Sequence, residues 1–218
     1  VPRKNGAIVA DGGQRRASYQ RARSHETTRG LIQAAMALWR TNGYAKTTVA
    51  DICRAAGVSR GLFYFYFPAK EDVLFEVGLL STLAAQKTVR SLLDTDYEVE
   101  AVIAQALRSL ERSMARNPRE LIIETILEGY RHEHRILSGA EQNEIDAGIF
   151  ADLFIKAQQD GKLADGVDVG HLSYVAGMHV SEGVRHWAFG VFGDRSFADV
   201  VTNDIAALID GYNLRASR

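Results

Sequence analysis

Five consecutive aromatic residues, Phe63 to Phe67, stand between Gly61-Leu62 on one side and Pro68 on the other. No other feature constrains the fold of this chain as tightly. Proline biases its predecessor away from helical angles, so a helix opening at Ser59 must stop near Phe67. On so short a helix five rings cannot all reach a core. Some lie on an exposed face, where apolar exposure is tolerated only for contact with something. Phe67 and Phe65 are the expected core members. Just upstream, Thr47-Thr48 followed by Asp51 offers an N-cap with an acid in the first turn, opening another short helix that ends at Gly57. Val49, Ile52 and Cys53 are its expected buried side. Two short helices around a tight glycine-containing connection fit helix-turn-helix geometry, in which the second helix enters the DNA major groove. Gly61 lets a backbone approach closely, and the hydroxyls of Ser59, Tyr64 and Tyr66 can donate to phosphates.

The rest of the chain is helical in pattern. Leu31, Ala34, Ala35, Leu38 and Trp39 recur at three- and four-residue spacing, predicting a helix from Thr27 to Asn42 that stops at Gly43. Lys70 starts a longer helix through Val73, Leu74, Val77, Leu80 and Ala84. Further helices are predicted from Val99 to before Pro118, from Leu121 to Arg135, and along Ile145, Ile149, Leu153 and Ala157, the last broken at Asp160-Gly161. Two more carry the stripes Leu172, Val175, Ala176, His179, Gly183, Trp187 and Val201, Ile205, Leu208, Ile209, Tyr212. No run shows sustained two-residue alternation bounded by turn residues, so a sheet is not expected and the fold class is all-α. Residues 1–24, with Gly6, Gly12, Gly13 and scattered arginines, read as a flexible basic arm. The division expected is arm 1–24, helix-turn-helix domain 25–72, and a ligand-binding and dimerisation domain 73–218.

Charge separates the same regions. Through Lys70 there are twelve basic residues against three acidic ones, a net of +9, while the remainder carries −10. A basic front on an acidic body suggests that the front meets a polyanion. Uncharged apolar runs stop well short of a membrane span; the longest, Val77 to Gln86, ends at Lys87. With one cysteine there is no intrachain disulfide, and no apolar stretch follows the basic start, so a cytoplasmic protein without a signal peptide is expected. Cys53 reads as a small core residue rather than a thiol sensor. His132 and His134 point to different helix faces, and His179, Glu182 and His186 share a side without a fixed second ligand pair, so no metal site and no cofactor are expected. Neither a nucleophile elbow, a phosphate loop nor a zinc-protease motif is present, and the expectation is that the chain is not an enzyme.

The run Gly57-Val58-Ser59-Arg60-Gly61-Leu62-Phe63-Tyr64-Phe65-Tyr66-Phe67-Pro68-Ala69-Lys70-Glu71, with Gly43-Tyr44, Thr47-Thr48 and Asp51-Ile52 before it, resembles the TetR family of bacterial transcriptional regulators. The resemblance extends over Thr27 to Leu74. Leu62, Phe63 and Tyr66 depart from its usual Thr, Leu and His. It implies that Thr47, Thr48, Ser59, Arg60, Gly61, Phe63, Tyr64, Tyr66 and Lys70 form the DNA-binding set. Thr48, Tyr64 and Lys70 would touch phosphates; Ser59, Arg60, Gly61 and Phe63 would meet the major groove. Arg60 is either a guanine reader or a second phosphate anchor, the latter leaving Gly61 and Phe63 to read by shape and thymine-methyl contact.

The resemblance further implies a repressor acting as a homodimer on a double-stranded DNA operator and released by a small-molecule effector. The alternative is a constitutive DNA-binding protein without an effector. Candidate lining for a largely apolar pocket is Met114, Ile126, Tyr130, Phe150, Phe154, Tyr174, Met178 and His179. The homodimer is expected through the stripes of the last two helices, with Ala176 and Gly183 permitting close approach.

Overall fold

The computed structural model describes residues 8–139 and 148–216, with side chains from Arg23 onward. Within these residues there are nine helices and no strand. The first four are α1 (Ile8–Asn42), α2 (Val49–Ala56), α3 (Arg60–Tyr66) and α4 (Lys70–Leu93). They are followed by α5 (Val99–Met114), α6 (Arg119–Leu137), α7 (Ala151–Gln159), α8 (Val169–Ala188) and α9 (Phe197–Ala216). The chain divides into two compact units, Val1–Val73 and Leu74–Arg218.

In the first unit the sequence signals act locally. Gly43 and Gly57 both take positive φ, as residues just past a helix end do when they close it in the left-handed region. At Gly57 (φ +67°) the following Val58 N–H reaches back to the Cys53 carbonyl at 3.0 Å, which turns the chain sharply into α3. Leu31, Ala35 and Trp39 of α1, Ile52 and Cys53 of α2, Phe63 of α3 and Phe67 just past its end are buried. Trp39 also meets Tyr44 edge to face, with ring centroids 5.3 Å apart.

The expected arm is corrected in part. Residues 8–24 are the opening turns of α1, and residues 1–7 lie outside the described residues. Ala, Arg and Gln are good helix formers, and the run holds no proline, so the two glycines at 12 and 13 do not break it.

The second unit has one apolar core. Helix α5 packs on α9, α6 on α8, and α8 on both α7 and α9. Leu107, Leu153, Phe154, Leu172, Ala176, Val201 and Ile205 meet there. Glu111 of α5 accepts hydrogen bonds from the Ser196 hydroxyl (2.9 Å) and the Phe197 N–H (2.8 Å), satisfying donors at the start of α9. Tyr97 donates to Asp160 at 2.8 Å at the turn that ends α7, and burial, with that carboxylate, pushes its phenol up to about 12. The buried carboxylate of Glu128 is held by Arg131 and Arg135, each at 3.1 Å. Ile145 lies outside the described residues; α7 itself opens at Ala151. No described helix is long and apolar enough to cross a membrane.

Candidate nucleic-acid interface

The geometry of α2 begins with Thr48, whose side chain accepts from the Asp51 N–H at 3.2 Å while Asp51 accepts from the Thr48 N–H at 3.0 Å. This is the reciprocal capping arrangement that satisfies two orphan donors at a helix start. The Thr48 hydroxyl proton is itself committed to Asp51 at 2.6 Å. A hydroxyl has one proton, so Thr48 has none left to give a phosphate while the cap is closed. These bonds, with Arg54 at 3.1 Å, hold the Asp51 carboxyl below its ordinary value; the Thr48 hydroxyl is the largest cause. Ser59 caps α3 differently: its oxygen accepts from the Leu62 N–H at 3.2 Å, which leaves its proton available to a partner.

Two members of the expected DNA-binding set, Thr47 and Phe63, are corrected. Thr47 is buried and its hydroxyl donates to the Gly43 carbonyl at 2.8 Å, so it ties the α1–α2 turn instead of facing DNA. Phe63 is fully buried, at 0% exposure, against 77% for Phe65. The reason is angular. With 100° per residue, Phe63 and Phe67 (i, i+4) define the inward side, and Phe65 lies about 160° from each. Phe65 was expected in the core, and the structure exchanges the two rings. Lys70 donates from Nζ to the carbonyls of Tyr44 and Thr47, both at 3.1 Å, and sits 4.0 Å over the Tyr44 ring, whose hydroxyl donates to Glu71 at 3.0 Å. Its ammonium binds the α1–α2 turn to the start of α4 with two of its three protons, which leaves the third, and the charge, for a further partner.

What remains outward on α3 is ordered by side. Gly61 and Leu62 lie within about 60° of the Phe65 direction, and both are exposed. Arg60 and Tyr64 are exposed on one flank, and the half-buried Tyr66 lies on the other. Cys53 is buried, as expected of a small apolar residue. Sequence reasoning missed Phe65 and Leu62 as surface residues. Phe63 and Phe67 stand at i, i+4, and it is the burial of that pair that sends Phe65 outward.

The expected pocket residues do not stay together. Met114, Phe150 and Phe154 are buried in the core of the second unit, with Ile126 packed partly buried against it. Tyr130, Tyr174 and Met178 are exposed, the last two at 49% and 52%. Leu172, Ala176 and Val180 occupy the inward side of α8, which sets Tyr174 and Met178 on the opposite one. His179 reaches Asp204 of α9 at 3.0 Å, and His186 reaches Glu182 at 3.0 Å. The stripes expected at a dimer surface are corrected for the same reason. Leu172, Ala176, Gly183, Val201 and Ile205 are buried within the subunit, and the close approach at Gly183 is between α8 and α9.

Two short helices around a glycine turn, the second presenting an outward face, form a helix-turn-helix unit, and a larger helical unit follows it in the chain. Residues 31–77 match the profile of the bacterial regulatory proteins of the tetR family. The HTH-type transcriptional regulator EthR of Mycolicibacterium smegmatis is 34% identical over 84 residues, covering 38% of this chain and 36% of that protein. The chain spans only 25–36% of the length of the first three curated relatives it matches. The Fatty acid metabolism regulator protein of Bacillus subtilis is 27% identical over 186 residues, covering 82% of this chain and 91% of that one. Among solved structures, the repressor FadR of Thermus thermophilus, in complex with lauroyl-CoA, superposes with a TM-score of 0.65 at 23% identity, covering 84% of this chain and 92% of that one. That likeness shows the same fold.

Proposed function

We propose that the protein is a transcriptional repressor that binds operator DNA as a homodimer through α3 and leaves it when an effector with a long apolar tail binds the second unit. The observation that carries the DNA-binding reading is the outward face of α3. A chain whose first 70 residues hold a net +9 exposes Leu62, Tyr64 and Phe65 there instead of burying them. For the effector, support comes from the likeness to the fatty acid regulator, which extends along nearly its whole length, and from lauroyl-CoA in the Thermus structure. The apolar second unit, with Met114, Phe150 and Phe154 at its centre and Ile126 beside them, suits an acyl chain better than a polar metabolite.

The homodimer surface is the outward side of α8, where Tyr174 and Met178 stand beside Gly177 and Ser181, with Ala207 and Gly211 of α9 exposed nearby in sequence register. Large apolar residues beside small ones allow two copies to pack helix against helix.

The test is fluorescence anisotropy of a labelled operator duplex titrated with lauroyl-CoA, coenzyme A alone and resorcinol. Lauroyl-CoA is expected to weaken operator binding by about 5- to 150-fold, the usual range of coupling between two sites, and coenzyme A alone to do nothing. Equal binding under all three would favour a constitutive DNA-binding protein.

A further inference from the structure

We propose that the outward ridge of α3, formed by Gly61, Leu62 and Phe65, reads thymine 5-methyl groups in the major groove, with Phe65 as the specificity-determining side chain. The proposal rests on the DNA-binding reading above and adds what is read. In the major groove each base pair presents hydrogen-bonding atoms, and thymine alone adds an apolar one, its C5 methyl. The ridge has no side-chain donor or acceptor. Its most exposed member, Phe65, points almost directly away from the buried rings of Phe63 and Phe67.

The polar groups of α3 stand to either side. Ser59, with its hydroxyl proton uncommitted by the cap, and the exposed Arg60 and Tyr64 lie away from Phe65, and Tyr66 lies on the other flank. That distribution suits phosphates along the groove walls and leaves the groove floor to the apolar ridge. The ridge also selects against the wrong bases. A guanine O6 or cytosine N4 amino group pressed against a phenyl ring loses its water and gains no partner.

Gly61 supplies an independent observation. It lies in α3 and not among the glycines with positive φ, so its backbone does not require glycine. A Cβ built there would meet nothing closer than the Ser59 Oγ at 3.9 Å, so the packing of the unit does not require it either. Glycine inside a helix lowers stability. Its presence on the outward ridge, in the first turn of α3, points to a partner that must approach the backbone closely.

The experiment uses the full chain and an operator obtained by selection from random duplexes. Each thymine is replaced singly by deoxyuridine, which removes the methyl and keeps every hydrogen-bonding atom. For the unsubstituted protein, one or two thymines per half-site are expected to lose about fourfold in affinity each, the factor for burying one methyl group. Phe65→Ala, whose ring touches little of the core, is expected to melt at the same temperature and to be indifferent to those replacements. Gly61→Ala is expected to melt higher and to bind the operator at least several-fold more weakly. Tight operator binding with no sensitivity to any methyl overturns the ridge proposal while leaving the regulator reading intact. So does a Phe65→Ala variant as sensitive as the parent, or a Gly61→Ala variant that binds equally well. Failure to select any operator overturns both.

Discussion

Helices α3 and α8 both send apolar side chains into solvent, but on different terms. Around α3, Phe63 and the capping Phe67 go inward and Phe65 outward; in α8, Leu172, Ala176 and Val180 go inward and Tyr174 and Met178 outward. The α3 ridge is narrow, carried on a helix seven residues long, and set in a strongly basic segment. The exposed side of α8 is longer, is interrupted by Gly177 and Ser181, and lies in an acidic segment. In the proposed reading a polyanion meets the first and a second copy of the chain meets the second.

The sharpest way to break this comparison is to exchange the fates of the two α3 rings. Phe63→Ala removes a fully buried ring and should cost the first unit about 3–5 kcal/mol. Phe65→Ala should leave stability within about 0.5 kcal/mol while weakening operator binding. Chemical denaturation beside operator titration separates the two. Similar stability losses from both substitutions would mean that Phe65 is packed after all.

Next in size is the α8–α9 contact. A Cβ at Gly183 would lie 2.5 Å from Val201 Cγ2 and 3.3 Å from Phe197 Cε2. Val201 is β-branched and cannot easily rotate away. Gly183→Ala should destabilise the second unit by about 1–3 kcal/mol, read as an earlier unfolding transition by calorimetry. An unchanged transition would show that α8 and α9 do not approach as closely as described.

How far these contrasts were legible in the sequence differed between the units. Around α2 and α3, Thr48, Gly57, Ser59 and Pro68 each act on neighbouring backbone, so the helix boundaries follow from local chemistry. The identity of the outward ring does not, because five adjacent aromatics satisfy several inward assignments until the packing of Phe63 and Phe67 chooses one. In α8 a wide apolar stripe was visible, but a stripe marks burial without naming what covers it. The structure covers Leu172, Ala176 and Gly183 with the subunit itself and leaves the outward role to Tyr174 and Met178. The latch of Lys70 on the Tyr44 and Thr47 carbonyls depends on residues more than twenty positions apart, and no local pattern announces it.

The smallest effect expected is electrostatic. Asp51 is held below its ordinary carboxyl value of 3.8 by the Thr48 hydroxyl and N–H and by Arg54. A carboxyl depressed by folding contributes stability that is fully present above its unfolded value. That contribution is lost as pH falls through the lower folded value. Asp51→Asn should therefore flatten the acid limb of the first unit's stability below about pH 4 and change little at neutral pH beyond a weakened cap. Parallel acid limbs in the two proteins would place the sensitivity elsewhere.

The central claim is that α3 reads DNA sequence, and selection of bound duplexes from a random pool by the full chain tests it most directly. An enriched inverted repeat is expected, with half-site centres about one helical turn, 10–10.5 base pairs, or a multiple of it apart. Phe65→Ala is expected to lose the preference for thymine at the contacted positions while keeping salt-dependent binding to any duplex. A pool that stays random after repeated rounds, although the protein still retains DNA at low salt, would contradict it.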